Sequence, residues 1–161
     1  MMTRIDARDR LIVALDVPSA AEADSLVTRM GDQVRFVKVG LELYTVAGPD
    51  IVRKLVDRGK RVFLDLKFLD IEETVRRATA RVAAMGATFL TIHANRKALI
   101  AAVQGRGPSN LKLLAVTVLT NFDGEDLREM GIQRSVQDLV TARAMLAAEV
   151  GCDGVVASGE E

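Results

Sequence analysis

The sequence predicts an α/β fold of the (β/α)8 barrel type, incomplete, with about six parallel strand–helix units present. Three observations predict it. Short apolar runs alternate with helical segments at roughly even spacing, the pattern of right-handed crossovers in a parallel sheet. Several of those runs are apolar on both faces, as strands covered by helices are. Polar residues recur at the carboxyl ends of the strands (Asp16, Lys38, Asp65, Lys67, His93 and Thr120), where a barrel gathers a site from many strands. An open doubly wound sheet fits less well. No Gly-rich dinucleotide fingerprint follows the first strand, and Gly105-Arg106-Gly107 is too short and misplaced for a phosphate loop.

Each element has a local reason. The first strand, residues 11–17 (LIVALDV), is apolar up to Asp16 and is stopped by Pro18. Ser19 caps a helix over 20–30 that ends at Gly31. A second strand, 34–41, carries Lys38; Pro49 then opens a helix that closes at Gly59. The third strand spans 61–67, and the third helix, 72–85, stops at Gly86. Residues 89–94 form a fourth strand with His93, followed by a helix over 97–104 and a loop over 105–110. The longest apolar run, 111–119, is the fifth strand. A short helix over 125–130 precedes a long one over 136–150, capped by Ser135, and 154–157 is the sixth strand.

Composition narrows the function classes. The chain has 161 residues, which suits a single domain over 1–161, and no linker or low-complexity tract interrupts it. Twenty-two basic residues balance 22 acidic ones, so no nucleic-acid or membrane footprint appears. The single cysteine, Cys152, excludes an internal disulfide and a Cys-based zinc cage, and reads as a small apolar residue near a strand start. Residues 1–10 lack the apolar core of a signal peptide, and no run is long enough to span a bilayer, so a soluble, cytoplasmic protein is expected. Met30, Met85, Met130 and Met145 sit near helix ends and read as core filler.

The segment Asp65-Leu66-Lys67-Phe68-Leu69-Asp70-Ile71 carries the chemistry. Strand alternation points Asp65 and Lys67 to one face and Leu64 and Leu66 to the other, while Asp70 follows on the turn into the next helix. An ammonium between carboxylates keeps its charge and suits an acid. A structural ion-pair network would leave the same pattern. Asp16 also reads as a turn former before Pro18, His93 as a hydrogen-bonded interior residue, and Thr120-Asn121 as a loop start. Lys38, in a strand otherwise apolar from Phe36 to Leu41, does not fit a solvated face.

Taken in order, residues 11–17 (LIVALDV), 37–45 (VKVGLELYT), 62–74 (VFLDLKFLDIEET), 91–94 (TIHA) and 113–120 (LLAVTVLT) resemble the orotidine 5′-phosphate decarboxylase family. The Asp-x-Lys-x-x-Asp core is shared with the related keto-gulonate-phosphate decarboxylases; the Ala-Leu-Asp-Val and Val-Thr-Val-Leu-Thr segments point to the orotidylate branch. The resemblance implies a TIM-barrel lyase of pyrimidine biosynthesis that converts the nucleotide orotidylate to UMP and CO2 with neither metal nor organic cofactor. Lys67 would be the proton donor, Asp65 and Lys38 its neighbours, and Asp70 of the other subunit of a homodimer would complete the quartet. Asp16 and Lys38 would hold ribose hydroxyls, Ile71 and the partner's Thr74 would assist, and Thr120 would face the pyrimidine edge.

Two departures accompany the match. The family usually has His-Asp-Ile-Pro-Asn-Thr where Leu69-Asp70-Ile71-Glu72-Glu73-Thr74 stands; Glu72 and Glu73 suit the first turn of a helix. The chain also ends at Ser158-Gly159-Glu160-Glu161, where the family continues into two more units that carry its phosphate grip and closing loop. From this an open-edged sheet prone to self-assembly is expected, with weak or no activity for the chain alone. A non-catalytic barrel fragment or engineered assembly scaffold is the alternative reading.

Overall fold

Among the described residues, six strands pair in chain order, all parallel, with helices between them. The computed structural model describes residues 6–158. Residues 1–5, on which half of the expectation about the opening segment falls, and 159–161 at the end lie outside the described residues. The elements are α1 (Ala7–Arg10), β1 (Ile12–Ala14), α2 (Ala20–Met30), a 3-10 turn (Gly31–Gln33), β2 (Phe36–Gly40), α3 (Leu41–Ala47), α4 (Pro49–Asp57), β3 (Arg61–Phe68), α5 (Glu72–Ala84), β4 (Phe89–His93), α6 (Arg96–Arg106), β5 (Lys112–Val116), α7 (Gly124–Glu129), α8 (Val136–Val150) and β6 (Gly154–Val156).

All the expected units are present, with boundary differences that have physical causes. Strands expected over 11–17 and 111–119 shorten to β1 and β5: past their last paired residues Leu15 is fully buried and Val118 nearly so, apolar for burial in the loops that follow, while Leu11 is exposed ahead of β1. Helix α3 carries no start signal in the sequence. It has no side-chain cap and buries only Leu43, so its apolar stripe is too thin to read. Helix α6 runs through Gly105, expected in a loop, to Arg106. Its glycine is needed for packing: a Cβ there would stand 2.2 Å from the carbonyl oxygen of Arg76 on α5. Ser19, Asn95 and Ser135 cap α2, α6 and α8 with their side chains.

Alternation sorts the strands into two faces. Val37, Val39, Val62, Leu64, Leu90, Ile92, Leu113 and Ala115 have no exposed surface and pack against the helices as the main core. On the other face, the barrel side, Phe36, Phe63 and Phe89 form an aromatic layer near the amino ends of their strands. Phe89 lies 5.0 Å from Phe36 and edge-on to Phe63 at 5.9 Å between ring centroids. Lys38, Asp65 and Thr91 come next along the same face, so the charges rest on an apolar floor.

The methionine expectation holds in part. Met30 and Met85 pack against the core, but Met130 and Met145 are 59% and 69% exposed. Met145 shares the outer stripe of α8 with Thr141 and Glu149 at helical spacing, and Met130 falls beyond the last core residue of α7, Leu127. Cys152 packs against the core, where burial pushes its thiol up to about 11. Among the described residues, no helix is long and apolar enough to cross a membrane.

Candidate active site

The parallel register places the carboxyl ends of β1, β2 and β3 side by side, and four charged side chains meet there. Lys38 Nζ lies 3.2 Å from Asp16 Oδ1 and 3.9 Å from Asp65 Oδ2. Lys67 Nζ donates to both Asp65 oxygens at 3.0 Å. Sign therefore alternates from Asp16 through Lys38 and Asp65 to Lys67. The environment grades along this row: the side chain of Asp16 is 64% exposed and that of Asp65 15%. Gly40 leaves the row uncovered, since a Cβ there would stand 3.4 Å from Lys38 Nζ and 3.5 Å from Asp16 Oδ1.

Asp65 and Lys67 meet as the sequence predicts, but regular alternation is not what brings them together. The β3–β4 ladder runs to Leu64↔Leu90 and resumes at Phe68↔Ile92, four steps on β3 against two on β4. Strand β3 thus bulges at Asp65, Leu66 and Lys67. Lys67 takes a φ of +50°, the only positive value at a non-glycine among the described residues. Its backbone N–H, lacking a ladder partner, donates to Thr91 Oγ1 at 2.9 Å, and the Thr91 hydroxyl donates to Asp65 Oδ1 at 2.9 Å. Thr91 is fully buried. Sequence reasoning assigned it no role. The available signal was a hydroxyl in the middle of the otherwise apolar run Phe89-Leu90-Thr91-Ile92.

The remaining expected residues lie apart from this row within the chain. Asp70 is exposed, and its carboxylate accepts from the Ile71 N–H at 2.6 Å rather than meeting Lys67. Ile71, 69% exposed, is the N-cap of α5, and Thr74 is exposed in its first turn. Glu72 pairs with Lys97 at 3.1 Å. Glu73 binds Arg76 and Arg77 at 2.8 and 2.6 Å, and these guanidinium bonds pull its carboxyl down to about 2. Both glutamates thus serve the surface of α5. Thr120 is exposed in the turn after β5.

His93, at the end of β4, is half-buried, and its ring makes no hydrogen bond among the described residues, contrary to the expected bonded interior histidine. Burial, followed by the positive charges of Arg143 and Lys67, holds its pKa below the ordinary value. His93 and Arg143 help line a pocket of about 300 Å3 with Leu69, Thr117, Phe122 and Met130. The pocket adjoins the row through Leu69 and His93 but is lined by none of its four charged residues.

This arrangement can place a cation against a reacting atom. An ammonium has three donors, and the two contacts to Asp65 leave one for a ligand. Exposed Asp16 offers acceptor oxygens for hydroxyl groups next to Lys38. A preorganised ammonium at the strand ends stabilises negative charge developing on a substrate and can deliver a proton to it.

Residues 9–161 match the family described as "Orotidine 5'-phosphate decarboxylase / HUMPS family". The chain is 55% identical over 155 residues to orotidine 5′-phosphate decarboxylase of Nitrobacter winogradskyi, covering 96% of this chain and 65% of that protein. It is 49% identical over 157 residues to the enzyme of that name from Bradyrhizobium diazoefficiens, covering 98% and 66%. The chain thus spans just under two thirds of the length of these relatives. The crystal structure of orotidine 5′-phosphate decarboxylase from Lactobacillus acidophilus superimposes with a TM-score of 0.86 at 38% identity, covering 92% of this chain and 70% of that one. The six parallel units are therefore an incomplete TIM barrel, and the chain belongs to the orotidine 5′-phosphate decarboxylase / HUMPS family.

Proposed function

We propose that the row Asp16–Lys38–Asp65–Lys67 is the decarboxylating centre of an orotidine 5′-phosphate decarboxylase, and that Lys67 is its proton donor. The observation that carries this reading is the bidentate contact of Lys67 with Asp65, at 3.0 Å to each oxygen, at the carboxyl end of β3. The C6–carboxylate bond of orotidylate breaks, CO2 leaves, and the electron pair stays on C6. The Lys67 ammonium stabilises that pair and gives C6 its proton, forming UMP, and water reprotonates the amine. Asp65, fixed beside the ammonium, faces the substrate carboxylate and disfavours it relative to the neutral product. Asp16 and Lys38 hold the ribose hydroxyls, with Thr120 at the pyrimidine edge. This chemistry calls for neither a metal nor an organic cofactor.

A second copy of the chain completes the centre in this reading. Leu69 and Ile71, 59% and 69% exposed, flank Asp70 at the start of α5, an apolar surround suited to a homodimer contact. Across it Asp70 of one protomer reaches Lys67 of the other, with Ile71 and Thr74 contributing to the substrate pocket. The test is calorimetric titration of the chain and of Lys67→Ala with 6-hydroxy-UMP, a nucleotide carrying negative charge where the reaction develops it. Binding by the chain that is lost in Lys67→Ala is the expected result. A folded chain that does not bind overturns the reading in favour of a non-catalytic barrel fragment.

A further inference from the structure

We infer that the Thr91 hydroxyl is a positioning group for the proton donor, fixing both the backbone of Lys67 and the carboxylate that holds its ammonium. The inference rests on the decarboxylase reading for its catalytic consequence and on geometry alone for its structural one. Three facts define it. The β3 bulge takes the Lys67 N–H out of the ladder, and Thr91 Oγ1 accepts that N–H at 2.9 Å. The same oxygen donates its hydrogen to Asp65 Oδ1 at 2.9 Å. Thr91 has no exposed surface, so water cannot take over either role.

The hydroxyl is thus used in both directions by the two residues that must stay in register. A left-handed lysine is not a conformation the backbone holds by itself. Without an acceptor, the Lys67 N–H would be unsatisfied on the barrel face, and the bulge would gain by relaxing toward an ordinary strand. Asp65 would lose the donor that fixes its rotation, leaving its carboxylate free to turn with the lysine. The register supports the assignment. Thr91 pairs with Leu114 on β5, and its neighbours Leu90 and Ile92 point into the helix-side core, which sets its side chain on the barrel face. β-Branching restricts χ1 at this position and fixes the hydroxyl's direction.

The experiment compares the chain with Thr91→Val, which keeps the shape and removes the hydroxyl, and Thr91→Ser, which keeps the hydroxyl. Two readouts are taken: hydrogen exchange of the Lys67 amide, and orotidylate turnover with kcat and KM resolved. Thr91→Val is expected to speed exchange at Lys67 by about tenfold, the worth of one hydrogen bond. It should lower kcat by about 100-fold, the order that a misplacement of about 1 Å costs, with KM little changed because the ribose contacts of Asp16 and Lys38 remain. Thr91→Ser should restore both values. Unchanged exchange in Thr91→Val, or equal impairment in Thr91→Ser, overturns the inference and makes Thr91 a packing residue. A wild-type chain without turnover agrees with the weak or absent activity expected of the chain alone and leaves the decarboxylase reading to the 6-hydroxy-UMP titration; the exchange rates of the three proteins then decide the hydroxyl's role unaided.

Discussion

The positive φ of Lys67 makes a prediction that separates backbone strain from lost chemistry: Lys67→Gly is more stable than Lys67→Ala. Both changes remove the ammonium and leave Asp65 without its bidentate partner, so those effects cancel between the two variants. They differ by one methyl group at a φ of +50°. Alanine retains the clash of Cβ with the backbone, which costs an L-residue in the left-handed region roughly 1–2 kcal/mol. Glycine escapes it but gains unfolded-state freedom worth about 0.5–1 kcal/mol. The balance favours Lys67→Gly by roughly 0.5–1 kcal/mol. With a urea m-value of about 2 kcal/mol/M, its unfolding midpoint should be higher by roughly 0.3–0.5 M. The same pair at Leu66, whose φ is not positive, should show the opposite order. An alanine variant at position 67 as stable as the glycine variant, or more so, would refute strain at the site.

Other consequences are equally direct. Gly105→Ala should destabilise the fold: its Cβ would meet Arg76 O at 2.2 Å and Arg76 C at 3.0 Å, both backbone atoms of a packed helix. Overpacking of about 1–3 kcal/mol outweighs the ~1 kcal/mol helix gain of alanine, and a thermal scan should show Tm lower by several degrees. His93 supplies a pH dependence. Burial, Arg143 and Lys67 depress its folded pKa, so the unfolded chain binds the proton more tightly; stability is full above about pH 6.5 and falls as pH drops below it toward the folded value. Denaturant titrations between pH 5 and 8 (about the range where histidine titrates) should show this slope, and His93→Asn should flatten it.

The fold was legible because its signals are local and repeated. Ser19, Ser135 and the glycines after the helices mark boundaries by their own chemistry, and period-2 apolar runs mark strands. What escaped reading depends on tertiary contacts. Helix α3 buries a single residue, and Gly105 reads as a loop former until Arg76 of another helix comes against it. The row Asp16, Lys38, Asp65 and Lys67 was readable as charges at strand ends, and alternation among apolar neighbours sets Lys38 and Asp65 on one face, but the bulge that turns Lys67 onto Asp65 was not. Nor was Thr91. A threonine in a strand is ordinary, and only the register offset between β3 and β4 reveals an N–H in need of an acceptor.

That offset explains how a strained lysine can be rigid. A loop after β3 could place Asp65 and Lys67 together, but it would leave Lys67 mobile on one side. Here the ladder closes again at Phe68↔Ile92, so the bulge is held between Leu64↔Leu90 before it and a second pair after it. Strain of a kilocalorie or two then cannot leak out by fraying, because relaxing Lys67 would shift Phe68, which packs against the helix-side core. The buried hydroxyl of Thr91 fills the one hydrogen-bonding gap this leaves. Cation placement at the carboxyl end of β3 is therefore a property of sheet registry as much as of the Asp-x-Lys motif. Deleting Leu66 would leave three steps on β3 against two on β4 and set Lys67 directly after Asp65, on the opposite face of the strand; the Lys67–Asp65 contact should be lost, and calorimetric titration with 6-hydroxy-UMP should show no binding in a variant that remains folded.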